Sequence, residues 1–174
     1  MRKLSAYARK MRRTDQTYNA AAWLNALTKC RAYSDELLPG AIAKVPSFEA
    51  IRSLIIDTRM AFERIKSGSG TCNDYDVLIV ALGEAKIRFA QIAGNDNPAV
   101  DVLDTADAAL LRTRTRWDKT GVWGFDGPAL AEIADGLDLF EEVATNSSPM
   151  QMHNAMIERN RLVEQMRKQT CTKN

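Results

Sequence analysis

The side chains that most often perform chemistry are few in this sequence and are not spaced for it. His153 is the only histidine, so a metal site with several histidine ligands is excluded. Cys30, Cys72 and Cys171 are odd in number and far apart, which fits neither a metal-binding pair nor a disulfide framework. No nucleophile elbow, nucleotide-binding fingerprint or Glu-x-x-His pair of a di-iron bundle is present. The sequence therefore predicts no catalytic residue, no metal and no cofactor, and it argues against an enzyme.

One short segment, residues 66–71, has the glycine, serine and threonine content of a phosphate-binding loop. Its residue order does not match the P-loop pattern, and no strand is predicted before it. Asp74 and Asp76 also follow it where the charge of a phosphate would lie. We therefore interpret 66–71 as a linker between two helices.

The charges of the chain are separated along its length, although the whole sequence has a net charge of only +2. The first thirteen residues hold six cations and no acid, and the cations are Arg2, Lys3, Arg9, Lys10, Arg12 and Arg13. As a cationic amphipathic helix, this segment can bind nucleic-acid phosphates, bind an acidic protein partner, or dock on the rest of the protein as its first helix. Its apolar face is too small for membrane binding.

A second group of cations, Arg112, Arg114 and Arg116, alternates with threonines just before Trp117. Arg112 and Arg116 share a helical face, and arginine beside an aromatic ring suits nucleic-acid binding. The same predicted helix begins with three acids, Asp101, Asp104 and Asp107. Because acids at the start and cations at the end suit the helix dipole, stabilisation of the helix is the simpler interpretation. Arg112 and Arg116 remain candidates for nucleic-acid or partner binding.

The loop that follows, residues 117–127, contains three aromatic residues, Trp117, Trp123 and Phe125, and three glycines. Loops on a rigid scaffold often carry binding residues, so these aromatics are candidates for a partner-binding loop. Alternatively, they close one end of a helical bundle while the glycines allow tight turns.

The predicted helix 128–144 has an apolar side and an acidic side, and no base occurs between Thr120 and Ser148. The helical period places four acids away from the apolar side, namely Glu132, Asp135, Asp138 and Glu142. Three interpretations stay open for this acidic side. It is a solvated outer surface, a surface that meets a basic partner or mimics DNA phosphates, or the surface on which the basic residues 1–13 lie.

These candidate residues are positioned by a chain whose apolar residues recur at helical spacing throughout. Capping residues followed by proline mark three helix starts, at Asn97-Pro98, Gly127-Pro128 and Ser148-Pro149, and Ser47 caps another. The apolar run 77–82 is also compatible with a strand, but its flanks continue the helical phase and no second strand is predicted to pair with it. We therefore predict an all-α fold, a compact bundle of six to seven helices joined by short loops marked by proline and glycine.

The first long helix is predicted between Thr14, which can cap it, and the stop at Pro39-Gly40. One mainly apolar face of this helix consists of Ala20, Trp23, Leu24, Leu27, Cys30, Ser34, Leu37 and Leu38. The next helix follows Ser47 and ends at Ser67-Gly68. These spacings predict two consecutive amphipathic helices in the first part of the chain.

At 174 residues, the chain is expected to form one helical domain, 1–174, with residues 1–13 as a basic helix or arm and 170–174 as a frayed tail. No apolar run approaches the roughly 18 residues of a membrane helix, so no membrane interaction is expected. No export signal is visible, which predicts a cytoplasmic protein. The methionine-lined helix 149–169 is a candidate homodimer surface.

The charge pattern is the main functional signal in this sequence. It predicts a non-enzymatic binding or regulatory protein that acts through charged helical surfaces, with a protein as the favoured partner. One alternative is a nucleic-acid-binding protein that uses the basic N-terminal segment. A further alternative is an acidic inhibitor or DNA mimic that uses helix 128–144.

Overall fold

The computed structural model describes residues 45–171, and the side chains of residues 45–165. The all-α fold is confirmed for this part of the chain, which contains five of the predicted helices and no strand. The helices are α1 (Phe48–Lys66), α2 (Cys72–Ala93), α3 (Pro98–Thr120), α4 (Gly127–Asn146) and α5 (Pro149–Cys171). The two helical segments predicted before residue 39 lie outside the described residues.

The predicted capping residues start α1 and α3. The Oγ of Ser47 accepts a hydrogen bond from the backbone N–H of Ala50 at 3.1 Å. The side-chain oxygen of Asn97 accepts one from the N–H of Ala99 at 3.0 Å, and Pro98 is the first residue of α3. Each bond satisfies a backbone donor that has no partner within the helix.

The start of α4 differs by one residue from the prediction, which placed the cap at Gly127. The structure assigns the cap to Asp126, whose carboxylate accepts the N–H of Ala129 at 2.7 Å. Gly127 has no side chain that could accept this bond, so the acid before it takes the capping position.

Thr71 and Asp74 start α2 by capping each other. The Oγ1 of Thr71 accepts the N–H of Asp74 at 3.3 Å, and the carboxylate of Asp74 accepts the N–H of Thr71 at 2.8 Å. This reciprocal pair is a capping box. The segment before it therefore connects two helices, as predicted. The carboxylate of Asp74 accepts the backbone N–H of Thr71, a donor that a bound phosphate would otherwise use.

Helix α2 lies at the centre of the described structure and packs against each of the other four helices. Tyr75, Leu78 and Leu82 are completely buried in it. The ambiguous run 77–82 is therefore helical, and its apolar side chains face neighbours on several sides because α2 is enclosed. Helix α4 also packs on α3 and on α1.

Gly136 allows α2, α3 and α4 to approach one another closely. A Cβ atom at this position would lie 2.7 Å from the Cβ of Ala106 and 3.0 Å from a methyl carbon of Leu82. The first distance is too short for a methyl group unless a helix moves, because the Cβ of Ala106 is fixed to its backbone, and the second requires the side chain of Leu82 to shift. The contact among these three helices thus depends on the absence of a side chain at residue 136.

None of the five described helices is both long enough and apolar enough to cross a bilayer.

Candidate charged binding surfaces

Ion pairs between arginine or lysine and a carboxylate connect five of the six helix pairs that pack together in the described structure. These pairs are Arg59–Asp138, Arg64–Asp74, Lys86–Asp104, Arg112–Glu132 and Arg159–Glu84. The first joins α1 to α4, and the others join α1 to α2, α2 to α3, α3 to α4 and α2 to α5. Many charged side chains of the described structure thus pair with one another across helix contacts, and only the remaining ones are available to a partner.

Glu132 is one of the acids that pair across a helix contact, so its predicted place on the outer side of α4 was wrong. Its residue exposure is only 5%, and it forms an ion pair with Arg112 of α3. Arg112 also approaches the carboxylate of Asp126, at 3.5 Å. A buried carboxylate needs such a partner because it has lost its hydration. Glu132 therefore belongs to the contact between α3 and α4.

The other predicted acids of α4 do lie at the surface. Asp135, Asp138 and Glu142 are exposed, and the structure adds Glu141 to them. We call these four residues the acidic face. Among the described residues, only Arg59 forms ion pairs with it, at 2.6 Å to Asp138 and 2.8 Å to Glu141.

Negative charge is crowded on the acidic face. Partial burial, together with the charges of Asp138 and Glu132, raises the pKa of Asp135 above its ordinary value. A cation bound near Asp135 would relieve this repulsion, whereas Arg59 lies with Asp138 and Glu141 instead. The face therefore has the electrostatic properties of a surface that attracts cations.

The arginines of α3 have separate surroundings. Arg112 is bound to Glu132, and Arg114 lies over the ring of Trp117, 4.3 Å from its centroid, with its Nε 3.2 Å from Asp118. Arg116 is exposed. The predicted helix-dipole pattern is present only in part, because Asp101 lies in the first turn of α3 while the cation of its last turn is Lys119 and none of the three arginines.

A hollow of about 380 Å³ runs beside the C-terminal half of α3. The described residues that line it are Leu111, Arg112, Thr115, Arg116, Lys119 and Thr120. Of the three cations, Arg116 and Lys119 are exposed, whereas Arg112 is bound to Glu132. The hydroxyl groups of Thr115 and Thr120 donate to backbone carbonyls of α3, so the two exposed cations are the anion-binding groups of this lining. Arg112 and Arg116, the two predicted binding cations of α3, are brought together here.

The aromatic loop points largely inward. Trp123 is only 5% exposed, and its ring stacks on Trp117 at 5.0 Å and on Tyr75 at 4.9 Å between ring centroids. Phe125 stacks on Phe62 at 5.1 Å. These contacts join the loop to α1, α2 and α3 and favour the interpretation that its aromatics close one end of the bundle. Trp117 and Phe125 are partly exposed, so their role in partner binding remains a prediction.

His153 is buried in α5. Glu84 and Arg159 form a second buried group, with 3.8 Å between their charged atoms. Burial raises the pKa of Glu84, while the charge of Arg159 acts against this rise. Within the described residues, no group of three or more His, Cys, Asp or Glu side chains is arranged to hold a metal ion.

The six cations of residues 1–13 lie outside the described residues, so their predicted role in binding is not tested. Sequence reasoning missed two contributors to the acidic face, Glu141 and Arg59. Glu141 follows Asp138 by three residues, which is a signal that the helical period could have given. Arg59 could not have been found this way, because its contact with α4 spans 79 residues of sequence.

The sequence matches no protein-family model, and neither the curated proteins nor the solved structures gave a match.

Proposed function

We propose that this protein is a non-enzymatic helical binding module whose acidic face on α4 binds a basic protein partner. The observation that carries the proposal is the excess of charge on this face, where four exposed carboxylates have one arginine as their described partner. The raised pKa of Asp135 supports it, because that shift arises partly from neighbouring negative charges. An acidic inhibitor or DNA mimic would use the same face and differ only in the identity of the partner.

The part of the chain around the acidic face, residues 45–165, is also negatively charged overall. Residues 45–165 contain 19 acidic and 12 basic side chains, which gives a net charge of −7. A field of this sign steers basic molecules toward the surface and repels nucleic acids. It therefore supports a basic protein segment as the partner of this part of the chain.

The test uses a fluorescein-labelled poly-lysine peptide and fluorescence anisotropy at low ionic strength. The variant carries Asp135→Lys and Glu142→Lys, which reverse two charges of the face without removing either ion pair of Arg59. We expect its affinity for the peptide to fall by about tenfold or more.

The matched control carries Asp96→Lys and Glu164→Lys, two exposed acids outside α4. It changes the net charge of the protein by the same amount but leaves the acidic face unchanged. Its affinity for the peptide should therefore fall much less. Equal losses in the two variants would show that the peptide responds to net charge alone, and absence of binding to the natural protein would contradict the proposal.

A second candidate function is anion binding at the hollow beside α3. Two exposed cations of its lining, Arg116 and Lys119, support this candidate. If nucleic acid binds there, Arg116→Glu with Lys119→Glu should reduce retention of the full chain on immobilised DNA, and added salt should weaken that retention steeply. Retention that persists unchanged in this variant would exclude the hollow.

A further inference from the structure

Helix α1 has an apolar surface that the described structure leaves exposed. Phe48, Ile56 and Met60 are 65%, 62% and 51% exposed and lie on one side of the helix. We call these three residues the outward stripe. The opposite side of α1 is also apolar, because Ile51 and Phe62 are buried against the neighbouring helices. Glu49, Arg52 and Glu63 are exposed on the same side as the outward stripe. Even so, three large apolar side chains exposed together on one helix indicate a surface that is covered by another part of the protein or by a partner.

We propose that the outward stripe of α1 is the docking surface for residues 15–38 of the same chain. The apolar residues of this segment recur at helical spacing and include Trp23, Leu24 and Leu27. On a helix they would form an apolar face, and docking would bury that face against the outward stripe. The proposal concerns a surface other than the acidic face and does not depend on the function proposed above.

The length and position of the segment fit this surface. As a helix, its 24 residues would be about 36 Å long, against about 28 Å for the 19 residues of α1. The segment ends at Pro39-Gly40, and only the connection 39–47 separates it from the first residue of α1. Short connections join helices that pack as antiparallel neighbours, so the outward stripe is the first apolar surface that the segment meets.

Chain connectivity favours this occupant over a second copy of the protein. Residues 15–38 hold two basic and three acidic side chains, so the segment is nearly neutral, and the net charge of +6 for residues 1–44 comes from residues 1–13 and Lys44. Because residues 39–47 tie the segment to α1, its effective concentration at the outward stripe exceeds that of a separate molecule.

Hydrogen exchange of the full chain, followed by mass spectrometry, tests the docking. The amides of residues 20–38 should be protected in the natural protein. Ile56→Glu places a charge in the outward stripe, and it should accelerate their exchange by about tenfold or more. Because Ile56 is exposed to solvent, this change leaves the core intact.

Ile92→Glu is the matched control, since Ile92 is 56% exposed and lies at the end of α2 rather than on α1. It should leave the exchange of residues 20–38 unchanged. A double change in the segment itself, Leu24→Glu with Leu27→Glu, should reproduce the effect of Ile56→Glu and should deprotect no region outside residues 20–38 and α1.

Three results would overturn the proposal. The first is rapid exchange of residues 20–38 in the natural protein. The second is an equal response to Ile56→Glu and Ile92→Glu. The third is a dimer in sedimentation that Ile56→Glu dissociates while residues 20–38 keep their protection, which would assign the outward stripe to a second copy. Loss of poly-lysine binding alone would affect only the function proposed for the acidic face.

Discussion

The two sides of α4 carry the same chemical pairing, arginine with carboxylates, in opposite surroundings. On the inner side, Arg112 pairs with Glu132, whose side chain is 4% exposed. On the outer side, Arg59 pairs with Asp138, whose side chain is 70% exposed. A buried carboxylate must be compensated by the protein, whereas an exposed one is already stabilised by water. Burial, rather than residue type, therefore separates the acids that hold the fold from those that a partner can reach.

The largest expected effect comes from breaking the inner pair. Arg112→Met keeps much of the apolar stem of the side chain but leaves Glu132 buried without its cation. Removal of one partner of a buried pair typically costs about 3–5 kcal/mol. Because Arg112 is itself 36% exposed, we expect a loss of about 2–3 kcal/mol in the free energy of unfolding, measured by urea denaturation at neutral pH.

A double variant, Arg112→Met with Glu132→Leu, distinguishes the cost of losing the ion pair from the cost of burying a carboxylate without a partner. It should recover most of the loss, because neither side chain then leaves a charge without a partner. If the single change costs no more than the same change at Arg59, the distinction between the two sides of α4 would be wrong.

Gly136→Ala tests how closely the inner side is packed. The new methyl group would meet Ala106 and Leu82, and overpacking of this kind costs about 1–3 kcal/mol. Since alanine favours a helix over glycine by about 1 kcal/mol, the net loss of unfolding free energy should be about 1–2 kcal/mol.

Gly83→Ala is the matched control for this packing test. A Cβ at residue 83 would lie 3.5 Å from the Cδ of Arg159, an ordinary contact. Its unfolding free energy should stay the same or rise, and a loss equal to that of Gly136→Ala would show that helix packing does not distinguish the two glycines.

Arg59→Met tests the outer pair and should affect binding more than stability. The pair is exposed, so its removal should change the free energy of unfolding by less than about 1 kcal/mol. The acidic face would then lack its described cation, and affinity for the poly-lysine peptide should rise a few-fold in fluorescence anisotropy. Weaker binding would indicate that Arg59 itself contacts the peptide.

The smallest effect concerns the pH dependence of Asp135. Its pKa is raised in the folded protein, so the folded state binds this proton more tightly than the unfolded state does. The contribution of this group to stability is therefore full below the ordinary aspartate pKa and is lost as the pH rises through the raised value.

Asp135→Asn removes that loss, because asparagine does not ionise. The variant should be as stable as the natural protein at neutral pH or slightly more stable, by less than about 0.5 kcal/mol, in thermal unfolding. At a pH below the ordinary aspartate pKa the small gain should disappear. A gain that grows in acid would reverse the assigned direction of the shift.

Local sequence signals were sufficient to predict the five described helices. Ser47, Asn97 and Pro98 act within a single turn, and the apolar period extends over each helix without reference to the rest of the chain. Even the ambiguous run 77–82 was correctly predicted as helical, because its flanks continue the same period.

The surfaces were harder to predict, because they depend on which helices meet. Glu132 was placed on the outer side because the apolar residues of α4 define a narrow stripe that excludes it. Gly136 widens the buried side, since its lack of a side chain lets α2 and α3 approach and cover its neighbours. The stack of Tyr75 and Trp123 likewise joins residues that are distant in sequence, and no local pattern specifies it.

The central position of α2 also restricts how the length of this protein can vary. Almost every residue from Asp74 to Ala85 is buried, and the helix touches four neighbours at once. One residue inserted in this stretch would turn all that follows by about 100°, because an α-helix has 3.6 residues per turn. Such a change would misalign several interfaces together. Insertions and deletions are therefore expected to accumulate in the connections between helices, while the length of α2 stays fixed among relatives of this chain.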